Sequence, residues 1–340
     1  MTRRSFIIGV AGTELTAIER QFIATERPWG FILFGRNVDH PEQVRRLVNE
    51  LREAADDADA PVLIDQEGGR VQRLRPPHWP LYPAGARFGT LYDQDPASGL
   101  NAARLSARLI AADLADLGIT VDCLPLADVP VAGADAVIGD RAYGTSPDKV
   151  AAIARAVAVG LAEGGVLPVL KHIPGHGRAT ADSHLRLPVV DCPQARLEAS
   201  DFAPFRALAD LPMAMTAHVV FSAIDPVHPA TTSATMVAQV IRAAIGFQGL
   251  LMSDDVSMNA LEGTVRDRSR AILAAGCDMI LHCNGRIEEM REVADEAVEL
   301  TGLAGARARA AREARQAPRP FDRKAGRAEL EHLIAGAATV

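Results

Sequence analysis

Short apolar runs alternate along the chain with longer segments whose apolar positions recur at helical spacing, as far as about residue 300. This alternation predicts parallel strands joined by crossover helices. Eight runs are interpreted as strands: Ser5–Ala11, Gly30–Gly35, Pro61–Asp65, Ile119–Leu126, Val166–His172, Met213–Val220, Leu250–Ser253 and Asp278–His282. The predicted helices between them include Pro41–Ala55, Asn101–Leu117, Pro147–Glu163, Pro193–Ala209, Ser233–Ala244, Arg266–Ala275 and Ile287–Leu300. Most of these helices begin near a Pro, Ser, Asp or Asn, the residue types that favour helix starts.

Eight units of a strand followed by a helix predict an α/β protein with one closed (β/α)₈ barrel. We assign residues 1–302 to the barrel and residues 303–340 to a C-terminal helical tail packed on or beside it. An open doubly wound sheet is the alternative, but no GxGxxG pattern follows the first strand. Two long connections, Gly68–Gly99 and Pro174–Val189, follow strands and should therefore project from the C-terminal face of the barrel.

Composition narrows the class of ligand. The 340 residues are 48% hydrophobic and carry a net charge of −7, which gives no broad positive surface for nucleic acid or an acidic membrane. The four cysteines lack CxxC spacing, so we interpret them as reduced packing residues. We expect a cytoplasmic monomer that acts on a small molecule, without nucleic-acid or membrane partners.

The start of the chain has a second interpretation. Arg3 and Arg4 precede an apolar run, and paired arginines in that position can open an export signal. The run is short, however, and gives way at Gly12 to the amphipathic segment Thr13–Arg20. We therefore expect the first barrel strand and helix here.

Polar side chains that are unusual in apolar strands occur at the predicted strand ends. They are Asp65, Glu67, Lys171, His172, His218, Asp254, Asp255 and His282. Catalytic groups of a barrel come from the C-terminal ends of its strands. We therefore expect these side chains to converge on one pocket.

The segment Lys171–His184 is the densest cluster, with three histidines, a lysine and an aspartate in fourteen residues. A carboxylate can accept from a histidine ring N–H and fix its tautomer, so Asp182 and His184 form a candidate acid/base dyad. A polar loop with capping side chains is one alternative. A metal site of the three histidines and Asp182 is another, although Lys171 and Arg178 would then lie against the cation.

Two further motifs contain candidate site residues. Asp254 and Asp255 end a buried strand, where neighbouring side chains point to opposite faces, so one is a candidate nucleophile while the other faces the helix layer or caps the turn. The segment Asp65–Arg73 places carboxylates and guanidiniums around a Gly-Gly turn, an arrangement suited to sugar hydroxyls. Helix capping and surface ion pairing are the respective alternatives.

Four motifs, in order between about residues 5 and 300, resemble family 3 of the glycoside hydrolases, in particular the single-domain NagZ-type β-N-acetylglucosaminidases. Lys171–His184 is similar to the family's Lys-His-Phe-Pro-Gly-His-Gly loop with its later Asp-Ser-His, except that Ile173 replaces the usual Phe. Ser253–Met258 resembles the nucleophile motif, and Asp65–Val71 and Ile138–Gly144 match two others. The change at Ile173 removes no catalytic atom.

The resemblance implies a retaining exo-β-N-acetylglucosaminidase that needs no metal or cofactor. Asp254 would be the nucleophile, with His184 as acid/base and Asp182 orienting it. The residues expected to hold the terminal N-acetylglucosamine are Asp65, Arg73, Arg141, Lys171 and His172. The implied substrates are muropeptides or chitooligosaccharides with a β-1,4-linked terminal sugar, and the implied role is peptidoglycan recycling.

Four other functions remain open at this stage. A chitooligosaccharide-directed β-hexosaminidase would share the site. So would a β-N-acetylglucosaminide phosphorylase, because a neutral imidazole does not repel phosphate as a carboxylate would. A metal-dependent barrel hydrolase would use the histidine cluster and lose activity in chelator. A carbohydrate-binding protein on an inactive barrel would bind the sugar without turnover.

Overall fold

A computed structural model describes residues 2–336. Eight parallel strands close into a barrel in which each strand pairs with its neighbours in sequence and the last pairs with the first. In chain order they are Arg4–Gly9, Pro28–Leu33, Val62–Ile64, Val121–Asp122, Leu167–Ile173, Met213–Thr216, Leu250–Asp255 and Met279–His282. The predicted closed barrel is thereby confirmed, and the open sheet is excluded.

The helices lie around the barrel and after it. They are α1 (Ala17–Glu26), α2 (Pro41–Ala55), α3 (Gly85–Gln94), α4 (Pro96–Ala115), α5 (Pro147–Glu163), α6 (Gln194–Ala199), α7 (Ala203–Ala207), a π-helix (Met236–Ala244), α8 (Val265–Ala275), α9 (Ile287–Glu296), α10 (Gly302–Glu313) and α11 (Arg323–Gly336). The observed bounds of α2 and α5 agree with the prediction, because a proline at the first turn fixes each start.

Several predicted bounds are wrong. Helix α4 begins at Pro96 instead of Asn101, α9 ends at Glu296 instead of Leu300, and the fourth strand is Val121–Asp122 instead of Ile119–Leu126. The predicted helix Pro193–Ala209 is two short helices, because Ser200 has non-helical angles of φ −121° and ψ −74°. The predicted connection Gly68–Gly99 contains an antiparallel hairpin, Gln66–Gly68 with Val71–Gln72, followed by α3.

The barrel interior is filled by alternate strand residues such as Ile7, Ile32, Val169 and Met252, all of them buried. At the N-terminal ends of the strands this cluster continues into α10, whose Ala308 and Ala311 are buried. Arg307 of α10 donates to Asp278 at the start of the eighth strand, at 3.0 Å. Helix α10 therefore covers the end of the barrel opposite the strand carboxyl ends.

Helix α11 packs on α4 with Leu330 buried, and Arg327 lies over the Tyr82 ring at 5.6 Å. The last four residues of the predicted tail, 337–340, lie outside the described residues. The four cysteines are buried and unpaired. Within residues 2–336, every helix is too short or too polar to cross a membrane.

Candidate active site

A solvent-open cleft lies at the carboxyl ends of the barrel strands. It is bordered by the hairpin after the third strand, the loop after the fifth strand and the ends of the seventh and eighth strands. Its polar lining is Asp65, Glu67, Arg70, Arg73, Arg141, Lys171, His172, Asp182, His184, Asp254 and Asp255. The set includes all eight residues that the family resemblance implies as catalytic or sugar-binding, namely Asp65, Arg73, Arg141, Lys171, His172, Asp182, His184 and Asp254.

One wall of the cleft is a network of charges centred on Lys171, whose side chain is only 2% exposed. Its ammonium lies 2.9 Å from Asp65 Oδ1 and 2.6 Å from Glu67 Oε1. Arg73 Nη2 donates to the other oxygen of Asp65 at 3.0 Å. Arg141 holds Glu67 through two bonds of 2.9 and 2.8 Å. Each carboxylate thus has two cationic partners, which fixes the position of all five side chains.

These contacts keep both carboxylates ionised. Burial acts to raise the pKa of Asp65, but the charges of Lys171 and Arg73 outweigh it and hold the pKa well below its usual range. Burial likewise acts against Glu67, whose pKa Lys171 and Arg141 lower to about 2. The wall therefore presents fixed acceptors and donors side by side.

The hairpin that carries Asp65 and Glu67 depends on a glycine turn. Gly68 has φ +91°, and a Cβ there would lie 2.3 Å from the Pro83 carbonyl oxygen. Only glycine accepts both the backbone angle and the close approach. The turn returns the chain so that Arg73 meets Asp65.

The His172 ring is oriented from below by Asp128, a fully buried residue. Asp128 Oδ2 lies 2.7 Å from His172 Nδ1. Because this carboxylate fixes Nδ1 as the protonated nitrogen, Nε2 of His172 remains available to a ligand in the cleft. Asp128 was not predicted from the sequence, although an aspartate in the apolar segment after the fourth strand was a usable signal.

Asp254 and Asp255 differ in their surroundings. Asp255 is occupied as a turn cap, since it accepts from the Ser257 N–H at 3.0 Å, the Ser257 hydroxyl at 2.7 Å and the Cys283 N–H at 3.1 Å. Asp254 accepts one bond in the described chain, from the Asp255 N–H at 2.8 Å. Asp254 is therefore the carboxylate with an oxygen available to a substrate.

The charge state of Asp254 suits a nucleophile. Burial acts to raise the pKa of Asp254, but the nearby His218 and His172 imidazoles and the Asp255 N–H outweigh it and lower the pKa. The carboxylate is ionised at neutral pH, as attack on carbon requires.

Asp182 and His184 form a hydrogen-bonded pair on the loop after the fifth strand. His184 Nδ1 lies 2.8 Å from Asp182 Oδ1, which also accepts the His184 N–H at 2.9 Å. Burial acts to raise the pKa of Asp182, but these two bonds outweigh it and lower the pKa. Nε2 has no partner in residues 2–336, and the ring is 65% exposed. The ring can thus exchange a proton with a group in the cleft.

Two histidines expected in the pocket lie behind it. His218 is buried between Thr231 Oγ1 at 2.8 Å and the Asp255 carbonyl at 3.0 Å. His282 is buried and contacts Glu289 on α9 at 3.3 Å. Neither side chain lines the cleft, so the expectation of convergence was wrong for them.

No group of three or more His, Cys, Asp or Glu side chains in residues 2–336 is arranged to hold a metal ion. At the charged wall, the Lys171 ammonium lies between the carboxylates of Asp65 and Glu67 and so occupies the position that a metal ion bound by both would need.

Comparison with known proteins identifies the family. The sequence model of the glycosyl hydrolase family 3 N-terminal domain matches residues 9–313. The chain belongs to glycoside hydrolase family 3. The resemblance found in the motifs is confirmed, and the enzyme class is glycoside hydrolase.

Individual relatives agree with the family assignment. A β-hexosaminidase of Alkalilimnicola ehrlichii is 40% identical over 282 residues, which cover 82% of this chain and 80% of that protein. NagZ from Neisseria gonorrhoeae in complex with N-trifluoroacetyl-D-glucosamine superposes with a TM-score of 0.83 at 32% identity, covering 99% of this chain and 98% of that one. A family 3 β-N-acetylglucosaminidase from Paenibacillus sp. str. FPU-7 has a TM-score of 0.86 at 28% identity, covering 96% of this chain and 66% of that one.

Proposed function

We propose that this family 3 enzyme is a retaining exo-β-N-acetylglucosaminidase that removes terminal β-1,4-linked N-acetylglucosamine from peptidoglycan fragments during cell-wall recycling. One observation carries the proposal. An ionised, available carboxylate, Asp254, and a hydrogen-bonded dyad, Asp182–His184, line the same cleft as a fixed wall of charged groups.

In the first step, an Asp254 oxygen forms a bond to the anomeric carbon as the bond to the glycosidic oxygen breaks. His184, in its imidazolium form, gives its Nε2 proton to the departing oxygen. Asp182 stabilises that cation through Nδ1. The products are a glycosyl ester on Asp254 and a free hydroxyl on the leaving group.

In the second step, His184 is neutral and takes a proton from water while the water oxygen attacks the anomeric carbon. The ester bond breaks, Asp254 leaves as carboxylate, and the sugar departs with retained configuration. The same histidine acts first as acid and then as base.

The charged wall supplies recognition of one sugar ring. Each hydroxyl is both donor and acceptor, so neighbouring cations and carboxylates in fixed positions can bind several hydroxyls at once. We assign Asp65, Arg73, Arg141, Lys171 and His172 to this role, and we add Glu67 because it fixes Arg141 and Lys171. The β-hexosaminidase relative and the glucosamine derivative bound by the Neisseria NagZ support the choice of an amino sugar.

The test is release of 4-nitrophenol from its β-N-acetylglucosaminide in the presence of chelator. We expect turnover by the wild type and a loss of about 10⁴-fold or more in Asp254→Ala. On N,N′-diacetylchitobiose, whose sugar leaving group needs a proton, we expect His184→Ala to lose about 10²- to 10⁴-fold. His228→Ala is the matched control, because His228 is also an exposed histidine beside an aspartate, at 3.4 Å from Asp225. It should keep wild-type activity.

Other outcomes would redirect the assignment. Activity that survives Asp254→Ala would remove this residue as nucleophile. Dependence on a metal would favour the metal-hydrolase alternative. Faster turnover with added phosphate, together with sugar 1-phosphate as product, would favour phosphorolysis. The ratio of kcat/KM for a muropeptide to kcat/KM for N,N′-diacetylchitobiose would decide which of the two substrate classes the enzyme prefers.

A further inference from the structure

A buried hydrogen bond lies beneath the Asp182–His184 dyad. His176 Nε2 lies 3.0 Å from Ser183 Oγ, and both side chains are only 3% exposed. Ser183 stands between the two members of the dyad in sequence, so its side chain points into the protein while Asp182 and His184 border the cleft. The Ser183–His176 hydrogen bond therefore attaches the loop to the protein interior between its two catalytic residues.

The other end of this contact is fixed to the barrel. The His176 N–H donates to Asp128 Oδ1 at 2.6 Å, and the same carboxylate orients the His172 ring at 2.7 Å. The His172 and His176 rings also contact each other edge to face at 5.8 Å. A continuous set of contacts thus joins the sugar-binding wall to the dyad through Asp128, His176 and Ser183.

Before Asp182 the loop is anchored by Arg178, which donates to buried Asp201 at 2.8 Å, and by the Ala179 carbonyl, which accepts the Asp135 N–H at 2.8 Å. The turn that follows Ser183 lacks comparable anchors. His184 and the two residues after it are exposed, with Leu185 at 74%. The contact from outside the loop to this turn is the Asn259 side-chain amide, which donates to the His184 carbonyl at 3.1 Å in an exposed position. Exposed hydrogen bonds compete with water and restrain a loop weakly.

His176 itself has little alternative bonding. Its Nδ1 is buried without a partner in the described chain, so Ser183 provides the side-chain hydrogen bond of this ring. Burial lowers the pKa of His176 to about 4, so the ring is neutral when the enzyme works near pH 7. A neutral ring and a hydroxyl form a bond that is stable against solvent because both are buried.

We propose that His176 and Ser183 are positioning residues that hold the Asp182–His184 dyad over the cleft, so that proton transfer, and no other step, depends on their contact. The inference rests on the proposed function, in which His184 is the acid/base. Misplacement of a catalytic group by about 1 Å can cost two orders of magnitude in rate. Loss of one buried hydrogen bond should therefore reduce proton transfer by about 10- to 100-fold.

The experiment compares kcat/KM for two substrates that differ in their need for a proton. The 3,4-dinitrophenyl β-N-acetylglucosaminide has a leaving group that departs without protonation, whereas the sugar leaving group of N,N′-diacetylchitobiose must be protonated. For Ser183→Ala we expect a loss of about 10- to 100-fold on the disaccharide and less than about threefold on the activated substrate. A loss of fold or of sugar binding would lower both values equally.

Conservative variants give a second readout. Ser183→Thr retains the hydroxyl, and His176→Gln retains a polar group near the position of Nε2, so both should recover part of the disaccharide activity lost in Ser183→Ala and His176→Phe. Ser233→Ala is the matched control, because Ser233 is a buried serine that donates to Asp225 away from the cleft. Any effect of that change should be equal on the two substrates.

His184→Ala distinguishes the failure of this inference from that of the proposed function. If His184→Ala lowers kcat/KM only on the disaccharide while Ser183→Ala and His176→Phe lower both substrates equally or neither, the positioning role is wrong and the acid/base assignment stands. If His184→Ala itself shows no dependence on the leaving group, the proposed function is wrong and the positioning role is overturned with it.

Discussion

Replacing Lys171 by methionine removes the charge at the centre of the wall while keeping a side chain of similar length. The Lys171 ammonium, 2% exposed, lies within 2.9 Å of one oxygen of Asp65 and 2.6 Å of one oxygen of Glu67. Removing one partner from a buried ion pair costs about 3–5 kcal/mol. The carboxylates keep Arg73 and Arg141, so we expect Lys171→Met to lower the free energy of unfolding by about 3 kcal/mol at pH 7.

The loss should depend on pH. Burial acts to raise the pKa of Glu67, and Lys171 and Arg141 lower it to about 2 in the folded protein. A depressed folded pKa contributes stability above the unfolded pKa of about 4.3 and loses it as the pH falls towards the folded value. The stability difference between wild type and Lys171→Met should therefore shrink as the pH falls from about 5 towards 2.

Urea denaturation followed by circular dichroism at several pH values measures this difference. Lys149→Met is the control, because Lys149 also contacts both oxygens of a carboxylate, at 2.9 and 2.8 Å, but that carboxylate belongs to exposed Asp93. Surface pairs contribute about 0–1 kcal/mol. Equal losses of stability in the two variants at pH 7, or a Lys171→Met deficit that is independent of pH, would refute the assigned contribution of the Lys171 ion pairs.

Two further predictions concern neighbours of this wall. Glu67→Gln removes the charge that Arg141 holds through two bonds, so steady-state kinetics should show kcat/KM lowered by about 10- to 100-fold, and an unchanged value would mean that Arg141 needs no partner. Asp122 is buried, and its Oδ1 accepts the Gln66 N–H at 3.0 Å while Oδ2 has no partner in residues 2–336. Burial raises its pKa well above the usual value, so the carboxyl costs stability as the pH rises above the unfolded pKa. Asp122→Asn should then be more stable than wild type by about 1 kcal/mol at pH 7 and not at pH 3, and reduced stability at pH 7 would contradict this account.

The barrel could be predicted from sequence because buried parallel strands are near-continuous apolar runs and proline marks several helix starts. Helix α3 was missed because its positions depend on tertiary contacts. A Cβ at Gly89, in the middle of α3, would lie 2.0 Å from the Tyr143 carbonyl oxygen, so the glycine that lowers helix propensity is required for packing. Such a contact between distant segments leaves no local pattern.

The candidate site, like the fold, was predicted from the sequence only in part. Asp65, Lys171, His172 and Asp254 were predicted because charged side chains at strand ends are unusual and because the barrel brings those ends together. Arg141 was expected only from the resemblance of its motif to the family. Glu67 was expected in the pocket but was given no role there, since its role depends on contacts with Arg141 and Lys171 that sequence spacing does not show. His218 and His282 were placed in the pocket because position along a strand, without its alternation, does not tell which face a side chain takes.

The most direct test of the central claim is to identify the residue that becomes glycosylated. Incubation with a 5-fluoro-N-acetylglucosaminyl fluoride, whose glycosyl ester hydrolyses slowly, followed by proteolysis and mass spectrometry, locates the covalent label. We predict a single labelled peptide containing Leu250–Asp255, with the sugar on Asp254 and no label in Asp254→Ala. A label on another carboxylate, or product of inverted configuration without any covalent label, would contradict the assignment of Asp254 as nucleophile.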